Sequence, residues 1–252
     1  SLTILAIALS VALIIAVNIA IDSVLVQFRE LAVQASGNVD IVVRSQTGKP
    51  FEKSVLDKIR RIPGIFASAG RISQIANFSL PNGALTKVYV VGVDSRYDFD
   101  YRDPRYTSIT GQRELTPGGS DVVVDEKFGF HVGEGVHVRL WNATAGKKIG
   151  GEPTGDWMIY NFKVVGIYHP RIAGGGVRAG YPWIYIDIKM GQKIFACPGK
   201  VDYIIVRVVE LEQTFDIINQ IKLSLGQGFE VSAVKGSLIN SIVQALSGFQ
   251  GG

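Results

Sequence analysis

A single cysteine, Cys197, in 252 residues cannot close an intramolecular disulfide, and it excludes a thiolate-cluster metal site. Charge is also scarce. Charged residues make up 19% of the chain, against about 25% in an average soluble domain. No run of Lys or Arg is longer than two (Arg60-Arg61 and Lys147-Lys148). The clustered basic stripe of a nucleic-acid footprint is therefore missing, and no nucleic-acid partner is expected. Catalytic signatures are missing too: there is no HExxH, no GxSxG and no GxxxxGKS/T. The three histidines, His131, His137 and His169, stand in no ligand pattern. Asp98, Asp100 and Asp103 resemble the start of a calcium loop, but no Glu stands at the twelfth place. The chain is read as a non-enzyme with no cofactor and no metal.

Apolar residues are plentiful, at 47% of the chain, and unevenly spread. Residues 2–21, LTILAIALSVALIIAVNIAI, carry no charge, and a hydrocarbon core takes about 20 such residues to cross. The segment predicts a membrane span, carried by Leu2, Ile4, Leu5, Ile7, Leu9, Val11, Leu13, Ile14, Val17, Ile19 and Ile21. Its length exceeds the apolar stretch of a signal peptide, the competing reading. The cell membrane is then the location, the lipid bilayer a partner, and the residues after about 22 extracytoplasmic. Beyond Asp22, the apolar residues Val24, Leu25, Phe28 and Leu31 recur at helical spacing up to Gly37. Leu238, Ile239, Ile242, Val243 and Leu246 repeat the pattern near the C-terminus. Two arrangements remain open. Each amphipathic helix packs on the domain's own core, or the two pack on each other as a stalk leading to two spans. Because the sequence ends at Gly252 within such a pattern, a second span is expected beyond it.

Between these helices the signal is mixed. Residues 39–43 read as a strand, and Val55, Leu56, Ile59 and Ile62 mark one face of a short helix ended by Pro63-Gly64. Strands over 65–80 and 85–93 flank the turn Pro81-Asn82-Gly83. Further strands are expected at 121–124, 136–141, 157–168, 183–188 and 201–209. A helix over 211–225 with Leu211, Phe215, Ile218, Ile221 and Leu225 on one face precedes a last strand at 229–233. The fold class is therefore α+β. A first lobe is expected from residues 37–95 and 201–234, with a β-rich lobe inserted over 96–200, between a span and stalk at 1–36 and a stalk helix at 235–252. One stretch, residues 96–106, mixes aromatics with Arg and Asp, the types enriched at binding hot spots. Its Tyr97, Phe99, Tyr101, Arg102 and Arg105 either cap a sheet within a solvated connection or contact a partner or substrate.

Several short motifs follow one another in an order we know. The apolar segment runs through an amphipathic stretch into Asn38-Val39-Asp40-Ile41-Val42-Val43. After it come Ile62-Pro63-Gly64-Ile65, Val90-Val91-Gly92-Val93 and Gly111-Gln112-Arg113. Asp121-Val122-Val123-Val124-Asp125-Glu126, Val132-Gly133-Glu134-Gly135-Val136 and Phe162-Lys163-Val164-Val165-Gly166-Ile167 complete the series. Together they resemble the MacB-like and FtsX-like ABC transporter permeases over nearly the whole chain. Glu134-Gly135 stands where that family more often has Gly-Asp. The resemblance implies an extracytoplasmic domain between the first and second spans, built of two lobes, Porter and Sabre. It also implies a cytoplasmic ATP-binding cassette ATPase as partner, a homodimer or paired permease, and an extracytoplasmic substrate or partner that the sequence does not identify. The mechanism it implies is mechanotransmission, in which ATP-driven movement of the spans passes up the stalk. Two other readings stay open: a single-pass extracytoplasmic sensor or binding protein, and a membrane-anchored enzyme using His131 and His137.

Overall fold

The computed structural model describes residues 11–13, 15–17, 19, 37–104, 107–141, 148–149, 152–153, 157–170 and 181–236. The described part of 11–19 is helical, with Val11, Leu13, Ile15, Val17 and Ile19 exposed. Among the described residues no helix is long and apolar enough to cross a membrane. The remaining residues of the expected span (Leu2, Ile4, Leu5, Ile7, Leu9, Ile14 and Ile21) lie outside the described residues. So do both expected stalk faces, Val24, Leu25, Phe28 and Leu31 with Leu238, Ile239, Ile242, Val243 and Leu246.

From residue 37 the chain builds one ten-stranded network. Four strands form an antiparallel sheet in the order β14 (Phe229–Ala233), β1 (Ile41–Ser45), β13 (Tyr203–Val208) and β3 (Ile65–Ser79). Helix α1 (Val55–Arg60) joins β1 to β3, and the later helix over Thr214–Leu225 joins β13 to β14. This is the split βαβ arrangement. Alternation along each strand decides its two faces. Ile41, Val43, Ile204, Val206 and Val231 point at the two helices and pack on Leu56, Ile59, Ile217, Ile218 and Ile221. Each such buried Ile, Leu or Val contributes about 1.5–3 kcal/mol relative to exposure. Val42, Ala69, Tyr203 and Ile205 point the other way, into a smaller cluster.

β3 is 15 residues long and serves two sheets. Ile65 to Arg71 pair with β13, and Ile72 to Ser79 pair with β4 (Leu85–Val93). From that second half a ring of six strands closes. It runs β3, β4, β11 (Trp183–Asp187), β6 (Asp121–Asp125), β10 (Trp157–Pro170), β7 (Gly135–Trp141) and back to β3 through Asn77 and Phe78. β5 (Thr107–Gly111) adds to β10 outside the ring. Like other small barrels, the ring is filled with side chains. Phe78, Val90, Val124, Val138, Phe162 and Ile186 lie inside, with the Phe78 ring 5.0 Å from that of Phe128. A further cluster of Val91, Val93, Tyr101, Val123, Trp183 and Tyr185 covers the outside of β4, β6 and β11. These strands are buried on both faces, which is why their sequences are continuous apolar runs without alternation.

The structure departs from the sequence pattern at several elements. The strand expected to reach Ile188 stops at Asp187. That carboxylate accepts the Lys189 N–H (2.9 Å) and caps a helix, α3 (Ile188–Ile194) in chain order after the short α2 (Phe99–Arg102). Asp202 splits the 201–209 strand into β12 (Lys200–Val201) and β13, and β12 pairs with the equally short β2 (Phe51–Glu52). In α4 (Thr214–Leu225), Thr214 and Ile217 take buried places and Phe215 is turned outward.

Candidate ligand cleft

Arg71 is the last β3 residue paired with β13, so its guanidinium leaves from the bend where the strand changes sheets. It is fully buried and reaches two carboxylates across the open face of the four-stranded sheet. Its Nε donates to Asp98 Oδ2 (2.6 Å), and its Nη2 donates to Asp98 Oδ1 (2.7 Å) and Asp100 Oδ2 (3.0 Å). Burial alone would lower the Arg71 pKa, but the charge and hydrogen bonds of Asp98, with Asp100 and Tyr203, together outweigh it and hold the guanidinium above its ordinary value. Asp98 Oδ1 also accepts the Asp100 and Tyr101 backbone N–H groups, making Asp98 the N-cap of α2. Asn38 Nδ2 donates to Asp103 Oδ2 at 2.7 Å. The three aspartates that resemble a calcium loop are thus engaged by a guanidinium, by backbone N–H groups and by an amide.

The same contacts settle the aromatic stretch into the fold. Phe99 packs beside Val42, Tyr203 and Ile205. Tyr101 is fully buried. Its OH donates to the Arg113 carbonyl (2.6 Å), and Arg113 Nη1 returns a bond to the Tyr101 carbonyl (2.6 Å). Burial pushes the Tyr101 phenol well above its ordinary pKa. Tyr97, at 70% exposure, and Arg102 stay on the surface, with the Arg102 guanidinium donating to the Arg96 carbonyl. Arg105 lies outside the described residues.

A row of side chains crosses the open face of the sheet from strand to strand. Glu230 on β14 pairs with Arg44 on β1, Arg44 with Tyr203 on β13, and Tyr203 with Arg71 on β3. The Arg44 guanidinium lies over the Tyr203 ring, 5.3 Å from its centroid. Burial pushes the Tyr203 phenol up to about 12. Beside this row opens a cleft of about 500 Å³. Arg44, Tyr203 and Glu230 line it from the sheet, Tyr89 and Trp183 from the outer wall of the barrel, and Ser73 and Asp202 where the two meet. Asp202 accepts the Ser73 N–H at 2.5 Å. Burial raises its pKa above the ordinary carboxyl value, against the opposing effects of that bond and of Arg44.

A second buried ion pair lies where the described domain begins and ends. Lys235 Nζ donates to Asp40 Oδ1 (2.7 Å), and Asp40 Oδ2 accepts the Val208 N–H (2.9 Å). The Val234 N–H donates to the Asp40 carbonyl (2.8 Å). The other reactive side chains are dispersed. His131 faces Glu134, His137 bonds Asn161, and His169 lies between Thr110 and Glu126. Cys197 is buried, and its thiol is pushed up to about 11, first by burial and then by Asp202. Among the described residues, no three His, Cys, Asp or Glu side chains gather as a metal ion requires.

Residues 1–223 match the MacB-like periplasmic core domain. The chain belongs to this family. The MacB-like domain is similar in fold to the periplasmic region of MacB from Actinobacillus actinomycetemcomitans, at 13% identity and a TM-score of 0.51, over 85% of this chain and 95% of that one. The extracellular domain of the noncanonic ABC-type transporter YknZ from Gram-positive bacteria is matched at 13% identity and a TM-score of 0.47, over 77% of this chain and 100% of that one. No curated protein matches the chain in sequence. The described residues thus form a mixed α+β extracytoplasmic domain of the kind found in MacB-like ABC transporter permeases.

The glycines of the motif series have physical reasons in this MacB-like domain. A Cβ on Gly92 would stand 2.6 Å from Ile72 Cγ2 and 3.3 Å from Ile188 Cα, where α3 lies on β4. One on Gly166 would stand 2.6 Å from the Gln112 carbonyl oxygen, where β5 meets the irregularity in β10. Asp98 and Asp100 drew notice in the sequence only as the start of a calcium loop, and the cleft residues, Arg71 and Lys235 were not singled out at all. The visible signal was a charged residue next to apolar ones: Arg71 before Ile72, and Asp40 and Arg44 on either side of Ile41-Val42-Val43.

Proposed function

We propose that the chain is the permease-subunit part of an ABC-type transporter or mechanotransmission complex. In this reading residues 2–21 span the membrane, 22–36 and 236–250 form a two-helix stalk, and the domain between them is extracytoplasmic. ATP hydrolysis by a cytoplasmic ATP-binding cassette partner moves the spans. The stalk carries that movement to the domain, which drives substrate export or regulates a partner outside the membrane. The domain has a Porter-like lobe and an inserted Sabre-like lobe, does no chemistry of its own, and works as a homodimer or beside a second permease. The observation that carries the reading is the Asp40–Lys235 pair. Within a MacB-like fold it ties the first strand's approach to the last strand's exit, so a displacement of either chain end is delivered to the sheet as one input.

Cysteines introduced at Phe28 and Val243, in the full chain with Cys197→Ser in native membranes, test the stalk. Oxidation is expected to join the two positions or their neighbours one helical turn away. If no register between 24–31 and 238–246 crosslinks, the stalk and the transmission reading fall together, leaving a single-pass sensor as the better account.

A further inference from the structure

We propose that the cleft between the four-stranded sheet and the outer wall of the barrel binds a saccharide. Its volume of about 500 Å³ lies within the range of about 300–1,000 Å³ typical of small-ligand sites, and leaves room for a short oligosaccharide. The lining then selects among ligand classes by charge. Arg44 stands directly across from Glu230 on the neighbouring strand, and Asp202 adds a second carboxylate. An anionic ligand meets two carboxylates, and a cationic one meets a guanidinium held in place over Tyr203. A neutral ligand meets neither penalty.

Neutrality alone is not enough, because the lining is rich in groups of one-sided hydrogen-bonding capacity. A guanidinium only donates and an ionised carboxylate only accepts, whereas a hydroxyl does both. A polyhydroxylated ring can therefore bridge Arg44 to Asp202 or Glu230 through single hydroxyls, and Gln46 and Ser45 at the rim add both capacities. The barrel wall supplies the complementary surface. Tyr89 is half-buried, with its ring centroid 6.2 Å from that of Trp183 and 5.8 Å from that of Tyr181. Such amphipathic rings offer an apolar face to the C–H side of a sugar and a polar tip to its hydroxyls. The site is also held before any ligand arrives. Tyr203 is wedged between Arg44 and the buried Arg71 cluster, and Asp202 is fixed by the Ser73 N–H, so little ordering is required on binding.

The test is calorimetric titration of the full chain in nanodiscs. Maltotriose, cellotriose and tri-N-acetylchitotriose serve as neutral probes, with spermine and citrate as charged ones. At least one trisaccharide is expected to bind saturably. Arg44→Met and the rim substitution Gln46→Ala should each weaken it at least tenfold, with unchanged thermal unfolding; Gln46 is exposed, so its loss does not threaten the fold. Absence of saturable binding by all three trisaccharides overturns the assignment. So does a preference for spermine or citrate, or saccharide binding indifferent to both substitutions. None of these outcomes bears on the stalk crosslink, so the two readings fail separately.

Discussion

The buried charges have to be judged as sets, because removing one member strands the others. Replacing Arg71 by Met takes the bidentate guanidinium from the buried Asp98 and one ion pair from Asp100, at an expected cost of about 3–5 kcal/mol. Denaturant unfolding should show that loss, and the triple variant Arg71→Met with Asp98→Asn and Asp100→Asn should recover much of it. A triple variant as unstable as the single one would mean that the carboxylates are not the reason. Asp202 gives a prediction of opposite character. Its folded pKa lies above the unfolded value, chiefly through burial, so its contribution to stability is full below the ordinary carboxyl range and is lost as pH rises through the folded pKa. Asp202→Asn keeps the carbonyl that accepts the Ser73 N–H and removes the charge. The variant should therefore gain on the wild-type chain as pH climbs from about 3 to about 7. Unfolding measured at both ends checks the sign, and a difference that is flat with pH would overturn it. None of these pairings was visible in the sequence. The carboxylates that answer Arg71 lie 27 and 29 residues away along the chain, and Asp40 and Lys235 are separated by 195.

Elements were easier to read than pairings wherever one face met solvent. Val136, Val138 and Leu140 alternate inward as their spacing indicates. The Pro81-Asn82-Gly83 turn joins β3 to β4, with the Leu80 N–H donating to the Ala84 carbonyl (2.8 Å). Elements buried on both sides gave no period to read, and the run from Trp183 into Ile188 therefore concealed the start of α3. Short elements such as α2 and β2 depend on tertiary partners and leave no pattern of their own. In the aromatic stretch the hot-spot composition was legible, but the fate of each ring was not. Tyr101 is taken by the core and Tyr97 is left in solvent, a division made by α2, a helix of one turn. At Gly92 the sequence marked a position whose reason is packing, and the structure sharpens it into a prediction. Gly92→Ala forces a methyl against Ile72 and the backbone of α3, and should cost about 1–3 kcal/mol. A shift in the urea midpoint with unchanged slope would be the expected signature; an unaffected midpoint would mean that α3 can slide away freely.

At the scale of the whole molecule, β3 is the shared member. Because one continuous strand belongs to both the four-stranded sheet and the barrel, neither part can lose it and remain whole. Trp183 lies on the barrel wall, so its fluorescence, read in a chain whose other tryptophans are replaced by Phe, follows that part. Far-UV circular dichroism follows every element. The two should report one coincident unfolding transition, and separated midpoints would show that the strand does not couple its two halves. The same connectivity has a consequence during synthesis. β1, α1 and β3 leave the ribosome early, but β13, the strand that sits between β1 and β3, is encoded about 130 residues after Arg71. At about 5–20 residues per second the nascent chain holds that gap open for on the order of ten seconds. The barrel half of β3 and the five other strands of the barrel are made within the interval. The strands of the barrel are therefore all available before the four-stranded sheet is, and that sheet, which holds β1 and β14 at the two ends of the described domain, is the last part to be completed.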